Sequence, residues 1–355
     1  MKRLLTYALG LVLASLSAQA AILRVNPNGS APYTTIIAAY NAAVNGDTII
    51  VSPGNYTDFF TSLKRVKIIG AGWDLVTSSY FYFNTGSTGC SVEGMRVNSN
   101  TAAQTFYAYT TPDSLTFRRC YIYNSNIYPC FERQAGASSK WVTFEDCVIH
   151  QAGNNALNAD AIRTVQDSLV IRNCLITMAT TQAATQTLLD GTPRFLTFVN
   201  NTMVNVREMF ASPGNYGMYV ANNIVWDWNS GGTWGTYSSS ALFDYNASQT
   251  PAPPGTNGIT LAADPFVLYT EANNYEQGIS DLHLAAGSSL IDAGVPSLLD
   301  RDGSRSDLGI YGGPYQFVEN GVSSYPFVTS IIAPAAIIAG DSLNVNTTGR
   351  VGPRY

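Results

Sequence analysis

Short stretches of alternating apolar and polar residues recur in the middle of the chain. In the first copy, Leu115 and Phe117 alternate with polar residues, the alternation slips by one position, and it resumes with Cys120 and Ile122. Further copies begin at Val142, Leu169, Leu196 and Met218. The first four copies are spaced by 27 residues, and the fifth follows after 22. Alternation with a period of two predicts a half-buried β-strand, and the slip predicts a bend between two consecutive strands.

The position of the slip is occupied mostly by residues that tolerate a left-handed backbone. In the five copies it reads Arg119, Asp146, Asn173, Asn200 and Asn222, and upstream it reads Gly70 and Gly94. Glycine and asparagine adopt positive φ at low cost. Short strands at a fixed period, joined by bends without intervening helices, predict a coil in which each turn stacks on the previous one, about 4.8 Å away.

Charged residues give an independent test of this register. Between Asp113 and Arg194, eight pairs of charged residues are separated by 27 positions, and every one of these pairs is opposite in sign. The pairs are Asp113/Lys140, Lys140/Asp167, Asp167/Arg194, Arg118/Glu145, Glu145/Arg172, Arg119/Asp146, Arg133/Asp160 and Arg163/Asp190. Opposite charges on neighbouring strands stabilise a sheet, whereas like charges destabilise it. The pattern therefore supports a stack with a 27-residue period.

One column of the repeat contains cysteine. Cys120, Cys147 and Cys174 occupy it in three copies, and Asn201 and Asn223 replace them in the next two. The apolar neighbours predict an inward stack of buried thiols, continued by asparagines that hydrogen-bond along the column.

The position after each cysteine forms an apolar stripe on the outside of the predicted coil. It reads Tyr121, Val148, Leu175, Thr202 and Ile224. Exposed apolar stripes are usually covered, and we expect residues 229–265 or 317–355 to cover this one.

The two ends of the repeat resemble the right-handed parallel β-helix proteins of the pectin-lyase-like group. Residues 33–56, YTTIIAAYNAAVNGDTIIVSPGNY, are similar to the opening of that group, where an amphipathic helix caps the open end of the coil. Ile36, Ala39, Tyr40 and Ala43 would form the buried face of this helix. Residues 281–313 resemble the closing segment of exported members of the group.

The resemblance implies an all-β fold, a right-handed parallel β-helix or solenoid. The β-helix domain would occupy residues 21–314, with an N-terminal cap at 33–45 and a long loop at 229–265. A C-terminal extension at 315–355 would add capping strands or an attachment segment.

Residues 1–20 have the pattern of a bacterial-type signal peptide. Lys2 and Arg3 precede an apolar run, and Ala18 and Ala20 form a small-x-small cleavage site. We therefore expect a secreted or cell-surface protein that begins at Ala21 and has no membrane span in the mature chain. Without Lys2 and Arg3 the chain has 17 basic and 24 acidic residues and no basic cluster, so nucleic acid is not an expected partner.

The resemblance implies a polysaccharide or cell-surface glycan partner that lies along one face of the coil. The strand before each bend-containing pair supplies the candidate residues for binding, namely Glu132, Arg133, Arg207 and Glu208. Arg163, near Asp160 and Asp190, is the candidate catalytic group, because a lyase needs a base beside groups that neutralise a uronate. The same residues could equally form ladders of matched charges that only stabilise the stack.

Tryptophans and an acidic loop are further candidates. Trp226, Trp228 and Trp234 could form a platform for sugar stacking or the apolar underside of a loop. Asp300, Asp302 and Asp307 could bind calcium or form a turn. The only histidines are His150 and His283, so a histidine-based metal site or triad is not expected, and His150 is predicted to be solvated.

The sequence alone thus favours an exported β-helix protein that binds carbohydrate, or has a structural role at the cell surface, without catalysis. The alternative is a polysaccharide lyase or glycoside hydrolase that acts on an acidic, uronate-containing polysaccharide. Calcium is the only candidate cofactor, and carboxylates could take its place in this alternative.

Overall fold

The computed structural model describes most of the chain after the predicted signal peptide. It covers residues 20–58, 60–99, 103–134, 140–153, 160–164, 168–182, 185–211, 217–270, 275–334 and 336–354. The predicted signal peptide, apart from Ala20, lies outside these ranges.

Three parallel sheets, A, B and C, form the body of the molecule. Sheet A contains β1 (Ile22–Val25), β2 (Thr48–Val51), β5 (Lys67–Gly70), β8 (Ser91–Glu93), β11 (Leu115–Arg118), β14 (Trp141–Glu145), β17 (Ser168–Arg172), β20 (Phe195–Val199), β23 (Gly217–Ala221) and β26 (Leu242–Asp244). Sheet B contains β3 (Gly54–Asn55), β6 (Val76–Ser78), β9 (Arg96–Ser99), β12 (Tyr121–Asn124), β15 (Val148–Gln151), β18 (Leu175–Met178), β21 (Thr202–Val204), β24 (Ile224–Trp226), β27 (Ala247–Ser248) and β28 (Ile259–Thr260). Sheet C contains β4 (Phe60–Ser62), β7 (Phe81–Phe83), β10 (Phe106–Ala108), β13 (Phe131–Arg133), β16 (Ile162–Thr164), β19 (Leu189–Gly191), β22 (Glu208–Phe210) and β25 (Thr233–Gly235).

From β2 to β27 the chain visits sheets A, B and C in turn, and strands three places apart in the chain pair with each other, while β1 pairs with β2 and β28 with β27 at the two ends. This connectivity is a parallel β-helix, so the predicted fold is confirmed. The predicted register is confirmed in sheet A, where Leu115, Val142, Leu169 and Leu196 are aligned on successive strands.

The bends between sheets A and B have the predicted backbone. Arg119, Asp146 and Asn173 have φ values of 52°, 53° and 51°, and Gly94 has φ 67°. Gly70 is a glycine for a different reason, since a Cβ there would lie 2.4 Å from the carbonyl oxygen of Gly94. A side chain at Gly70 would therefore collide with the neighbouring coil.

Several of the predicted charge pairs are present. Glu145 is buried between Arg118 and Arg172, with N–O distances of 2.9 Å and 2.5 Å. Arg119 lies 3.6 Å from Asp146. Asp113 instead accepts a hydrogen bond from the backbone N–H of Lys140. The two pairs that involve Asp167 lie outside the described residues.

The predicted pair Arg133/Asp160 is wrong. Phe131 aligns with Ile162 and Glu132 with Arg163, an interval of 31 residues, so the 27-residue period does not hold between these strands of sheet C. Arg133 is 3% exposed and aligns with the buried Ala108, which places it on the inner side of the strand.

The interior contains the predicted cysteine and asparagine columns. Cys120, Cys147 and Cys174 are fully buried and unpaired. In the next coils Asn201 donates to Asn223 at 3.0 Å, and Asn223 donates to the amide oxygen of Asn246 at 2.9 Å. The inward stack is thereby confirmed.

The apolar stripe on sheet B is covered from within the chain, mostly by residues that lie between the two expected segments. Of those segments, 317–355 contributes Phe317 and 229–265 contributes the half-buried Ile259 and Leu261. Its cover is formed by Phe266, Tyr269, Leu282, Leu290, Leu308, Ile310 and Phe317. The hairpin of β29 (Phe266–Leu268) and β30 (Asp281–Leu284) belongs to this cover. Residues 229–265 are not one long loop, because they contain β25, β26, β27 and β28 and extend the coil.

The N-terminal helix packs on the first two strands of sheet A. Helix α1 (Ile36–Ala42) begins at Thr35, which caps it by accepting from the backbone N–H of Ala38, and it buries Ile36, Ala39 and Tyr40 as predicted. A short 3₁₀ turn spans Thr85–Ser87, and a second spans Glu319–Gly321.

The C-terminal extension forms the hairpin of β31 (Phe327–Ile332) and β32 (Asn346–Arg350). Arg350 pairs with Asp74 at 2.9 Å, and Arg119 donates to the carbonyl of Pro353 at 2.7 Å. No helix in the described part of the chain is long and apolar enough to cross a bilayer.

Candidate functional site

The outer face of sheet C brings together most of the candidate residues. Its strands are only three residues long, and in FYF, FYA and FER the central residue faces outward because its neighbours are buried. Strand pairing aligns these central residues across the coils in the order Tyr82, Tyr107, Glu132, Arg163 and Asp190. We call this line of five residues the outer column of sheet C.

The first part of the outer column is aromatic. The rings of Tyr82 and Tyr107 have centroids 5.1 Å apart. Tyr80 lies 5.3 Å from Tyr82, and Tyr109 lies 5.9 Å from Tyr107. Tyr109 is 49% exposed. These four tyrosines form a partly exposed aromatic surface, which we call the tyrosine patch.

The phenols of Tyr82 and Tyr107 stay protonated in neutral solution. Burial, followed by neighbouring phenols and Glu132, raises the pKa of Tyr82 above its ordinary value. Burial and then the charge of Glu132 raise the pKa of Tyr107. Both hydroxyl groups can therefore donate as well as accept hydrogen bonds.

The second part of the outer column is an ion-pair cluster centred on Arg163. Its Nη2 lies 2.6 Å from Asp160 Oδ2, and its Nε lies 3.3 Å from Asp190 Oδ2. Asp160 is 3% exposed, and its Oδ1 accepts from the backbone N–H and the hydroxyl of Thr187 at 2.9 Å and 3.2 Å. Burial raises the pKa of Asp160, against the opposing effects of Thr187 and Arg163.

Two further carboxylates flank this cluster. Glu132 accepts a hydrogen bond from Gln104 Nε2 at 2.5 Å. Glu208 lies 3.9 Å from Arg207 and is 21% exposed at its side chain. Burial is the main cause that raises the pKa of Glu208, and the charge of Asp160 adds to it. Glu132 and Glu208 lie on strands three rungs apart, as predicted.

The structure thus assembles Asp160, Arg163 and Asp190 as the sequence suggested, with Glu132, Arg207 and Glu208 nearby. Arg133 does not belong to this surface, because it is buried on the inner side of β13. Asp160 fits the alternative in which these charged residues pair with one another and only stabilise the stack. Both of its carboxylate oxygens are already hydrogen-bonded within the protein.

The predicted tryptophan platform is wrong. Trp226 is 4% exposed and packs under the cover of sheet B, and Trp234 is 5% exposed in the main core. Trp228 is half-buried, with its ring 5.9 Å from that of Trp234. These rings contribute to the apolar interior. The buried faces of Trp226 and Trp234 therefore offer no surface to a sugar.

The carboxylates of the acidic loop accept hydrogen bonds from nearby backbone N–H groups. Asp300 accepts from the backbone N–H groups of Asp307 and Gly313, and Asp302 accepts from Ser304. Asp307 accepts from the backbone N–H of Asp292. Within the described ranges, no three His, Cys, Asp or Glu side chains are grouped as a metal site would require. The carboxylates instead satisfy the backbone of the loop.

The tyrosine patch is the part of this surface that the sequence analysis missed. Tyr80, Tyr82, Tyr107 and Tyr109 sit at alternate positions of two segments, which is a signal for one face of a strand. The interval from Tyr82 to Tyr107 to Glu132 is 25 residues, so a search at 27 does not align them.

The chain has weak similarity to several solved structures. No family model matches the chain, and no curated protein matches it. Among solved structures, a pectin methylesterase from Aspergillus niger is 14% identical, with TM-score 0.45 over 65% of this chain and 86% of the other. The pectate lyase Pel9A is 16% identical, with TM-score 0.45 over 84% of this chain and 97% of the other.

A more distant match is the alginate lyase AlyGC, which is 13% identical with TM-score 0.27 over 86% of this chain and 59% of the other. The parallel β-helix fold of this chain is shown by its own strand connectivity. At these identities the matches assign no substrate or reaction to this chain.

Proposed function

We propose that the protein binds a polysaccharide along the outer face of sheet C and does not cleave it. The outer column carries this proposal, because it places an aromatic surface and a set of hydrogen-bonding groups in one line parallel to the coil axis. Successive members of the column are about 4.8 Å apart, a spacing close to the advance of one hexose residue in an extended glycan.

The two parts of the column have complementary tasks. Tyr82 and Tyr107 present ring surface for the apolar face of a sugar, and their hydroxyls can bond its edge. Glu132 and Asp190 offer carboxylate oxygens that accept from sugar hydroxyls. Arg163 is held in place between Asp160 and Asp190, so it can donate from a fixed position with little loss of side-chain entropy.

The arrangement of carboxylates supports binding without cleavage. A glycosidase needs two carboxyl groups roughly 5 to 9.5 Å apart with a sugar between them. Glu132 and Glu208 are three rungs apart, about 14 Å. Asp160 and Asp190 share one guanidinium, which occupies the space between them.

Binding and turnover can be separated in one experiment. The purified protein is titrated calorimetrically with a panel of soluble polysaccharides, and the same mixtures are followed for unsaturated products by absorbance and for new reducing ends, with and without calcium. We expect binding to at least one polysaccharide and no product. Turnover that Arg163→Ala or Asp160→Ala abolishes would establish the lyase or hydrolase alternative instead.

We also propose that the protein acts outside the cytoplasm, on the strength of the signal-like pattern of residues 1–20. Expression of the full gene in a bacterium with a Sec pathway should yield a processed chain. Its N-terminal sequence should begin at Ala21, and an unprocessed chain retained in the cell would contradict export.

A further inference from the structure

We infer that the glycan bound by the outer face of sheet C lacks carboxylate groups, so the protein selects uncharged hexose polymers over uronates. This inference rests on the proposed function and names its ligand class. It follows from the net negative charge of this surface and from the ion pairs that its two guanidinium groups already form with protein carboxylates.

The charged side chains on this face are predominantly acidic. The described residues contribute four carboxylates, those of Glu132, Asp160, Asp190 and Glu208, and two guanidinium groups, those of Arg163 and Arg207, a formal balance of −2. The chain segments 135–139, 154–159, 165–167, 183–184 and 212–216, which connect to these strands, contain one charged residue, Asp167. The sequence therefore adds no cation there.

Both guanidinium groups are engaged by protein carboxylates. Arg163 contacts Asp160 and Asp190, and Arg207 lies 3.9 Å from Glu208. A uronate approaching Arg163 would also approach Glu132 on one neighbouring strand and Asp190 on the other, each about one rung of 4.8 Å away. Two like charges about 4.8 Å apart oppose binding by about fourfold in bulk water and by several hundredfold at the effective dielectric constant near a protein surface, so a tenfold effect for each lies toward the lower end of that range.

An uncharged sugar meets no such penalty. The hydroxyl groups of a hexose can donate to Glu132 and Asp190, and the apolar sugar face can lie on Tyr82 and Tyr107. The same carboxylates that repel a uronate therefore stabilise a neutral chain.

The test uses matched pairs of polymers that differ in charge alone. Polygalacturonate, polymannuronate and polyglucuronate oligosaccharides are each compared with the same oligosaccharide after reduction of its carboxyl groups to primary alcohols. Affinities are measured calorimetrically in EDTA, in calcium, and at low and high salt. We expect at least one reduced form to bind tenfold or more tightly than its uronate parent in EDTA, with a smaller ratio at high salt because screening weakens the repulsion.

Substitutions that remove one carboxylate from this surface should strengthen the binding of the uronate polymers. Asp190→Asn and Glu132→Gln should each raise the affinity for the uronate parent by about tenfold. Asp341→Asn removes an exposed carboxylate from the C-terminal hairpin and should leave the affinity unchanged.

The outcomes distinguish this inference from the proposed function. If every uronate that binds does so as tightly as its reduced form, in EDTA or only with calcium, the neutral-glycan inference is overturned while glycan binding stays intact. If no oligosaccharide or polysaccharide of either kind binds, the proposed function itself is wrong.

Discussion

Tyr82 and Tyr107 lie in register on adjacent strands of sheet C, with ring centroids 5.1 Å apart and planes inclined by 62°. The same register continues to Glu132 on the next strand. An aromatic surface and an acidic group are thus placed in line by the strand pairing alone, without help from a loop. The aromatic part of the site lies toward the N-terminal coils, and the charged part lies toward the C-terminal coils.

Removal of either tyrosine should weaken glycan binding. Tyr82→Ala and Tyr107→Ala each delete a stacking surface worth about 1 to 2 kcal/mol, so we expect losses of about 5- to 30-fold in affinity by calorimetry. Tyr219→Ala is the matched control, because Tyr219 is 38% exposed but lies on sheet A. An equal loss of glycan affinity in Tyr219→Ala would contradict the assignment of the binding site to sheet C.

Arg163 should also matter for stability. Arg163→Met leaves Asp160 buried without its ion-pair partner, which should cost about 3 kcal/mol in the free energy of unfolding, measured with urea. Adding Asp160→Asn should recover much of that loss, because a neutral amide needs no counter-charge. Arg194→Met, at an exposed position just before β20, should change stability little, and a similar loss there would count against a specific role for Arg163.

The five cysteines should be inert in the native protein. All are buried and unpaired, and burial raises the pKa of the Cys90, Cys130 and Cys174 thiols. We expect no reaction with a thiol reagent in buffer and five equivalents in denaturant. Ser239→Cys, at an exposed site, should add one fast equivalent. Rapid labelling of the wild type would argue against the inward stack.

Stability should fall in mild acid because of His150. Sequence analysis predicted a solvated ring, but Nδ1 lies 2.9 Å from the Tyr121 hydroxyl, and burial followed by the charge of Arg96 lowers the pKa to about 4. Between pH 6.5 and 4 the unfolded chain binds a proton that the folded chain does not. The free energy of unfolding should therefore decrease through this window as pH falls, by roughly 1 to 3 kcal/mol in total.

The histidine contribution is isolated by substitution. His150→Gln should lose this part of the pH dependence in urea titrations from pH 7 to pH 4, whereas His283→Gln, at an exposed position, should keep it. Identical pH profiles for the wild type and His150→Gln would show that other groups control acid stability.

The sequence predicts sheets A and B well between Leu115 and Met203, where their spacing is regular. Leu115, Val142 and Leu169 keep the 27-residue interval, and every substitution in that column must fit the same inward position. In sheet C the intervals are 25, 31, 27 and 21 residues, because the connections to that sheet differ in length from coil to coil. That irregularity explains the error at Arg133.

The site and the cover of sheet B show two further limits of sequence reasoning. Arg163 and Asp190 are recognisable because their 27-residue interval survives locally. Tyr82 and Tyr107 sit in apolar segments that resemble core, so only the register shows that they face outward. The cover has no period, and its apolar residues are placed by tertiary packing against sheet B rather than by a local pattern.

The most direct test of glycan binding on sheet C is a hydroxyl-radical footprint of the protein with and without a glycan that binds it. We expect the glycan to protect the tyrosine patch, Tyr80, Tyr82, Tyr107 and Tyr109, from oxidation. Tyr219 and Trp141 on sheet A should be oxidised equally in both samples. Protection of Tyr219 or Trp141, with no change in the tyrosine patch, would contradict glycan binding on sheet C.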